Sequence, residues 1–257
     1  MGANLSEFFN LAFRWIHVVA AVMWLGQLWF LTFVNVQAVR AYDEATRRHA
    51  VPELLPRVLY FFRFGAAFTW ISGFFLLGIV YYGGGAVADA GQSLTLARWG
   101  GLLSLFVTWI VYDQVWMRLG HNRAVAMSVS LVVLVALAFG LAQIMSGRSL
   151  FVHLGAALAT VMLGNVWRHI WPSQQRIVKA IKAGVTPDVD AVQLATLRSV
   201  HNTYLSVPVL FFMISNHFPV AYGSGSRPLV ALGIIAVGWL MAKALFARST
   251  SPAAMRI

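Results

Sequence analysis

The chain has 257 residues, 60% of them hydrophobic and 11% charged, with a mean hydropathy of +0.73; this excludes a water-soluble core and describes an integral membrane protein whose spans use nearly all of its length. The formal charge of +11, from 19 Lys and Arg against 8 acids, falls in short loops where it sets topology and meets anionic headgroups, which excludes a nucleic-acid partner. Without cysteine there is no disulfide, no iron–sulfur cluster and no covalent haem c, so any metal or haem must rest on His, Met or oxygen ligands.

The amino terminus MGANLSEFF lacks the basic start of a signal peptide, and the apolar run from about Phe8 to Val39 is too long for one. It reads as a retained first span over about 9–37. His17 lies about eight residues into it, ~12 Å deep at 1.5 Å per residue, and its helical face continues through Ala20, Ala21 and Trp24. The segment 40–57 mixes charges and reads as a connection. Span two, over about 58–82, holds Arg63 some six residues in, and the Gly-rich link YYGGGAVADAGQS reads as an irregular loop.

Span three covers about 97–118, with Asp113 near its end at a depth similar to that of Arg63. The two charges can pair, which lowers the cost each would incur alone; the pair is either a structural clasp or part of a site. Span four covers about 124–145 and span five about 149–170. His153 lies about four residues into span five, ~6 Å deep. Its face continues through the small residues Ala156, Ala157, Thr160 and Gly164, a groove that either admits a neighbouring helix or leaves a slot for a flat cofactor.

Pro172 opens a short interfacial helix over about 173–183, with Ile177, Val178 and Ile181 on one face and the lysines elsewhere. Span six, about 195–218, contains the densest polar run, RSVHNTYLSVPVLFFMISNHFP. His201, Tyr204, Leu205 and Pro208 share a face near one surface, and His217 emerges at the other. Pro208 removes a backbone donor mid-membrane and should bend the helix. Span seven covers about 228–247. Seven spans put the two ends on opposite sides. Across alternate connections Lys and Arg divide fourteen to four, with Arg63 left inside span two, so the N-terminus is expected outside and the C-terminus in the cytoplasm.

Two constellations carry possible chemistry. His17 and His153, at comparable depth and beside small residues, suit bis-imidazole ligation of a b-type haem; the alternative is that each imidazole bonds a neighbouring carbonyl. Asn165, Arg168, His169 and Asn202 come from the inner halves of spans five and six. They can line a cavity for a small planar anion, with Arg forks as bidentate donors and His or Asp to move protons. The tryptophans lie mostly near span ends as interfacial anchors, while Trp24 and Trp109 sit deeper and serve either packing or cofactor stacking.

IHVVAAVMWLGQLWFLTFVN in span one, HLGAALATVMLGNVW in span five and the span-six run resemble the membrane domain of the bacterial membrane-bound urate oxidase (urate hydroxylase) family. The resemblance covers almost the whole chain, and span six is its most specific part. It implies oxidation of urate to 5-hydroxyisourate in the bacterial inner membrane, with electrons passed to a C-terminal cytochrome c on the outer side. The motif positions are His17, Trp24, Gly26, His153, Asn165, His201, Asn202, Tyr204, Pro208 and His217. Neither a further span nor a CxxCH domain follows span seven, so the expected acceptor is a separate cytochrome c or a quinone.

The fold expected is therefore an all-α polytopic bundle, one integral membrane domain over 1–257. The function expected is that of a membrane-embedded oxidoreductase or electron-transfer subunit. His201, Asn202, Tyr204, Arg63 and Asp113 are the catalytic candidates. His17, His153, His217 and Trp24 are the candidates for haem, with His17 and His153 on the iron, and Asn165 and Arg168 are the candidates for substrate. Two other classes fit parts of the pattern. One is a non-catalytic membrane subunit of a larger respiratory or photosynthetic complex. The other is a permease for a purine-type anion, favoured by the bent span six and the intramembrane Arg63 and Asp113.

Overall fold

The computed structural model describes residues 2–251, and every regular element among them is helical. Within hydrocarbon a backbone must satisfy its own hydrogen bonds, and a helix does this inside a single segment. Six segments are long and apolar enough to cross a membrane: Leu5–Ala41, Glu44–Gly83, Leu94–Leu119, Arg123–Ile144, Gly147–Lys182 and Arg227–Ser249. Their outward residues are apolar, with Val22 and Val132 each 68% exposed and Leu240 66%, a surface suited to lipid rather than water. Arg256, one of the charges used for orientation, lies outside the described residues.

The first segment comprises α1 (Gly2–Trp29), a π-helical stretch Phe30–Asn35 and α2 (Val36–Ala41). Only Tyr42 and Asp43 interrupt the helix before α3 (Glu44–Leu76) begins. The segment 40–57, expected as a connection, is thus mostly helical. Asp43 caps α3 by accepting the Thr46 amide at 2.7 Å. Ion pairs one turn apart, Arg48 with Glu44 at 2.6 Å and Arg57 with Glu53 at 2.7 Å, line its exposed start. A second π stretch, Leu77–Gly83, follows α3, and the chain then runs irregularly to Ser93, as its glycines imply.

Next come α4 (Leu94–Leu119), α5 (Arg123–Ile144) and α6 (Gly147–Gly164), the last running into a third π stretch, Asn165–Ile170, and then α7 (Trp171–Lys182). A helix is present where an interfacial one was expected over 173–183: in α7 Val178 is buried while Arg176, Lys179 and Lys182 are exposed. It ends at Gly184, whose φ of +70° supports the bonds from Gly184 N–H to the Ile181 carbonyl and from Val185 N–H to the Ala180 carbonyl. Beyond it are α8 (Val189–Ile214), the short α9 (Pro219–Tyr222) and α10 (Arg227–Ser249). At 26 residues α8 is long enough to span, yet it is absent from the six apolar segments because its polar run lowers its hydropathy.

The chain divides into two compact units. The first takes Met1–Phe13, Gly73–Val161 and Val207–Gly238, and the second takes Arg14–Ser72, Met162–Ser206 and Trp239–Ile257. In the first, the small-residue stripe of α6 is packed: Val152 and Ala157 join Leu77, Tyr81 and Leu105 in a buried cluster with Ala156 against it. In the second, α1 and α3 approach so closely that a Cβ on Gly65 would stand 3.1 Å from the Trp24 backbone nitrogen and 3.3 Å from the Ala20 carbonyl oxygen. Lipid offers apolar side chains nothing worse than a protein interior does, so such close contacts and interhelical hydrogen bonds hold membrane helices together.

Candidate functional site

The second unit holds a buried polar network along one face of α8. Arg198, Asn202 and Ser206 recur every four residues and are 1%, 0% and 0% exposed, with Thr203 also 0%. Asn165, at the start of the third π stretch, donates through Nδ2 to Asn202 Oδ1 at 2.8 Å and accepts from Arg198 Nη1 at 3.3 Å. Asn202 Nδ2 donates to the Met162 carbonyl at 2.9 Å. Both amides are thereby used at both ends, and they fasten α8 to the end of α6.

The network reaches the helix of span one. Thr203 donates to the Ser199 carbonyl at 3.0 Å, so Thr32, 3.2 Å away in the first π stretch, donates to Thr203. Trp29 Nε1 donates to Ser206 Oγ at 2.9 Å, and Ser206 Oγ donates to the Thr203 carbonyl at 2.8 Å. A π turn re-phases the helix that contains it and recurs at functional sites. Here the two π stretches of the second unit supply Thr32, Asn165 and the buried His169.

The sequence-predicted residues are distributed unevenly around this network. Asn165 and Asn202 are at its centre. Arg198, the first residue of the span-six polar run, is buried within it, and Thr203, Ser206, Trp29 and Thr32, not among the sequence candidates, join it. His201 and Tyr204 lie half-buried on a neighbouring face of α8, and Tyr204 stacks on Phe246 with centroids 5.4 Å apart. Arg168 is exposed. Arg63 and Asp113, expected as a pair, fall in different units. Asp113 is buried in the first. Arg63, in the second, sits in an aromatic box, its guanidinium 3.9 Å from the Trp171 ring centre, 4.8 Å from Phe64 and 6.0 Å from Trp167.

The two histidines expected on haem iron also belong to different units. In the second, His17 Nδ1 donates to the Thr69 carbonyl at 2.8 Å, with Ser72 Oγ at 3.2 Å. A fixed Nδ1–H leaves the lone pair on Nε2, the arrangement of a metal-ligating imidazole. In the first unit, His153 is 0% exposed, and its Nδ1 donates to the Ser149 carbonyl at 2.8 Å. Its Nε2 lies 3.0 Å from the Tyr82 hydroxyl, which must therefore donate to it. A Cβ on Gly101 would stand 2.9 Å from the same nitrogen. His17 Nε2 could thus serve as a ligand, whereas His153 in this arrangement has its lone pair occupied and its approach closed. Tyr82 belongs to the second π stretch, inside what the sequence presents as a loop. His217 is exposed and Trp24 is 2% exposed.

No curated protein and no solved structure matches the chain. The family model described as Urate oxidase N-terminal matches residues 41–256, a stretch that includes α3 to α10 and the Asn165–Asn202 junction. A membrane-type helical chain with a buried Arg–Asn–Asn network, matched over that length, belongs to the urate oxidase N-terminal family.

Proposed function

We propose that the protein is a membrane-embedded oxidoreductase that oxidises urate, or a closely related purine anion, and passes the electrons to a separate cytochrome c or quinone. The observation that supports this most directly is Arg198, 1% exposed on α8 and held by Asn165. A cation buried in a membrane helix is costly and marks a functional site, and its fork suits a flat anion with adjacent oxygen and nitrogen acceptors. In the reaction, urate and one water give 5-hydroxyisourate: an oxygen–carbon bond forms at C5, and two electrons leave for the acceptor with two protons. His201, next to Asn202 on the chain and half-buried, receives a proton as water adds. Asn165 and Asn202 act as positioning residues that fix α8 against α6.

His17 is the histidine suited to hold a b-type haem in this reading, where such a group would relay single electrons. The test is a membrane preparation or detergent-purified chain incubated with urate and an added cytochrome c or quinone. Urate consumption should match acceptor reduction at two electrons per urate, and Arg198→Lys and His201→Ala should each lower the rate by about 10²-fold or more. Urate accumulating unchanged inside proteoliposomes would move the protein to the permease class. A reduced-minus-oxidised spectrum without a b-type band would remove haem while leaving direct electron transfer to the acceptor.

A further inference from the structure

Trp24 and Gln27 stand three residues apart on α1 in the second unit, so their side chains leave neighbouring turns of one helix face. Trp24 is 2% exposed, and its Nε1–H is buried with no hydrogen-bond partner among the described residues. The Oε1 of Gln27 is likewise buried and without a partner. A buried donor or acceptor in a native structure ordinarily finds a partner, so two such atoms three residues apart on one helix require an explanation. Further along the same segment the polar groups are used, Trp29 by Ser206 and Thr32 by Thr203. The hydrogen-bonded network therefore stops just short of Gln27. Arg63 Nε, Ser173 Oγ and Trp239 Nε1 are also buried without partners, but each stands alone on its own helix. Trp24 and Gln27 alone among these combine a donor with an acceptor on one face.

We propose that Trp24 and Gln27 form a subsite for the cyclic-amide edge of the substrate, in which the indole N–H donates to a ring carbonyl oxygen and Gln27 Oε1 accepts the adjacent ring N–H. This rests on the urate-type reading above and names the residues that would give it specificity. A lactam presents a carbonyl and an N–H on neighbouring atoms, the complement of a fixed donor beside a fixed acceptor. Sites built to bond such groups reject analogues that lack them, because the protein atoms are then left unpaired. The role differs from cofactor stacking by the Trp24 ring: here the polar tip of the indole is what recognises.

The experiment compares the full-length purified chain with Trp24→Phe and Gln27→Met, which keep bulk and remove one polar group each. Binding of urate, xanthine, uracil and a set of ring-N-methylated urates is measured by equilibrium dialysis, with thermal unfolding recorded alongside. The subsite predicts unfolding temperatures equal to or above that of the unaltered protein, because an unpaired buried group has gone, together with at least tenfold weaker urate binding. It also predicts that one N-methylated urate binds the unaltered chain at least tenfold more weakly than urate, and that Gln27→Met erases this discrimination. Equal affinities across the variants, or unchanged discrimination, would mean that ordered water satisfies the pair and would overturn the subsite. The methylated series on the unaltered chain keeps the test decisive even if a variant fails to fold. Lactam binding with this signature but no urate oxidation would leave the subsite standing and the proposed activity refuted; oxidation with silent variants would do the reverse. Binding of none of these compounds would overturn both.

Discussion

At the scale of the residue, the telling feature is that Asn165 and Asn202 bond each other and reach Arg198 and the Met162 carbonyl. Asn165, a candidate for substrate, donates to Asn202 and accepts from Arg198. Removing the Asn202 side chain would take one hydrogen bond from Asn165 Nδ2 and one from the Met162 carbonyl, at about 0.5–1.5 kcal/mol for each bond lost. Asn202→Ala should therefore lower the thermal unfolding temperature in detergent and reduce turnover together. An unfolding temperature equal to that of the unaltered chain would show that water reaches the junction.

Between elements, the close approach of α1 and α3 depends on Gly65. A methyl there would press on the backbone of Trp24 and Ala20, neither of which has a flexible end to yield. Gly65→Ala should destabilise by about 1–3 kcal/mol through overpacking. Gly140 on α5, where a Cβ meets nothing within 4 Å, is the control: Gly140→Ala should gain up to about 0.5–1 kcal/mol from helix propensity. Opposite signs in paired thermal melts are the expected result. The start of α3 carries a pH dependence. The Thr46 amide and then its hydroxyl, bonded to Asp43, hold that carboxyl below the usual carboxylate range. A group whose folded pKa is depressed stabilises above its unfolded pKa and loses that contribution as pH falls through the folded value. Melting temperature should thus fall in acid, and Asp43→Asn, which keeps the cap oxygen without the charge, should flatten that part of the profile.

For the molecule as a whole, topology is the open question that the chain makes easy to test, because it contains no cysteine. Single cysteines placed at Ser224, in the turn before α10, and at Val185, after α7, should react with a membrane-impermeant thiol reagent from opposite sides of the membrane. Labelling of Ser224→Cys in intact cells and of Val185→Cys only after lysis is the outcome expected of seven spans with the amino terminus outside. Labelling of both positions from one side would remove α8 as a crossing.

The sequence by itself determined that the protein is helical and membrane-type, where most helices lie, that a helix follows Pro172, and which family it belongs to. These follow from hydropathy, from punctuation by Gly and Pro, and from motif order, all of which act locally along the chain. It also contained the Arg198, Asn202 and Ser206 stripe at four-residue intervals, beside a neighbouring face with His201 and Tyr204 that carries the more reactive side chains. Only the tertiary structure decided which face is buried, that Tyr82 lies on His153, and that Arg63 rests among aromatic rings. The physical reason is twofold. Each of these groups is joined by contacts between residues distant in sequence, and the stretches Phe30–Asn35, Leu77–Gly83 and Asn165–Ile170 are π-helical, so a reading at 3.6 residues per turn points their side chains in the wrong direction.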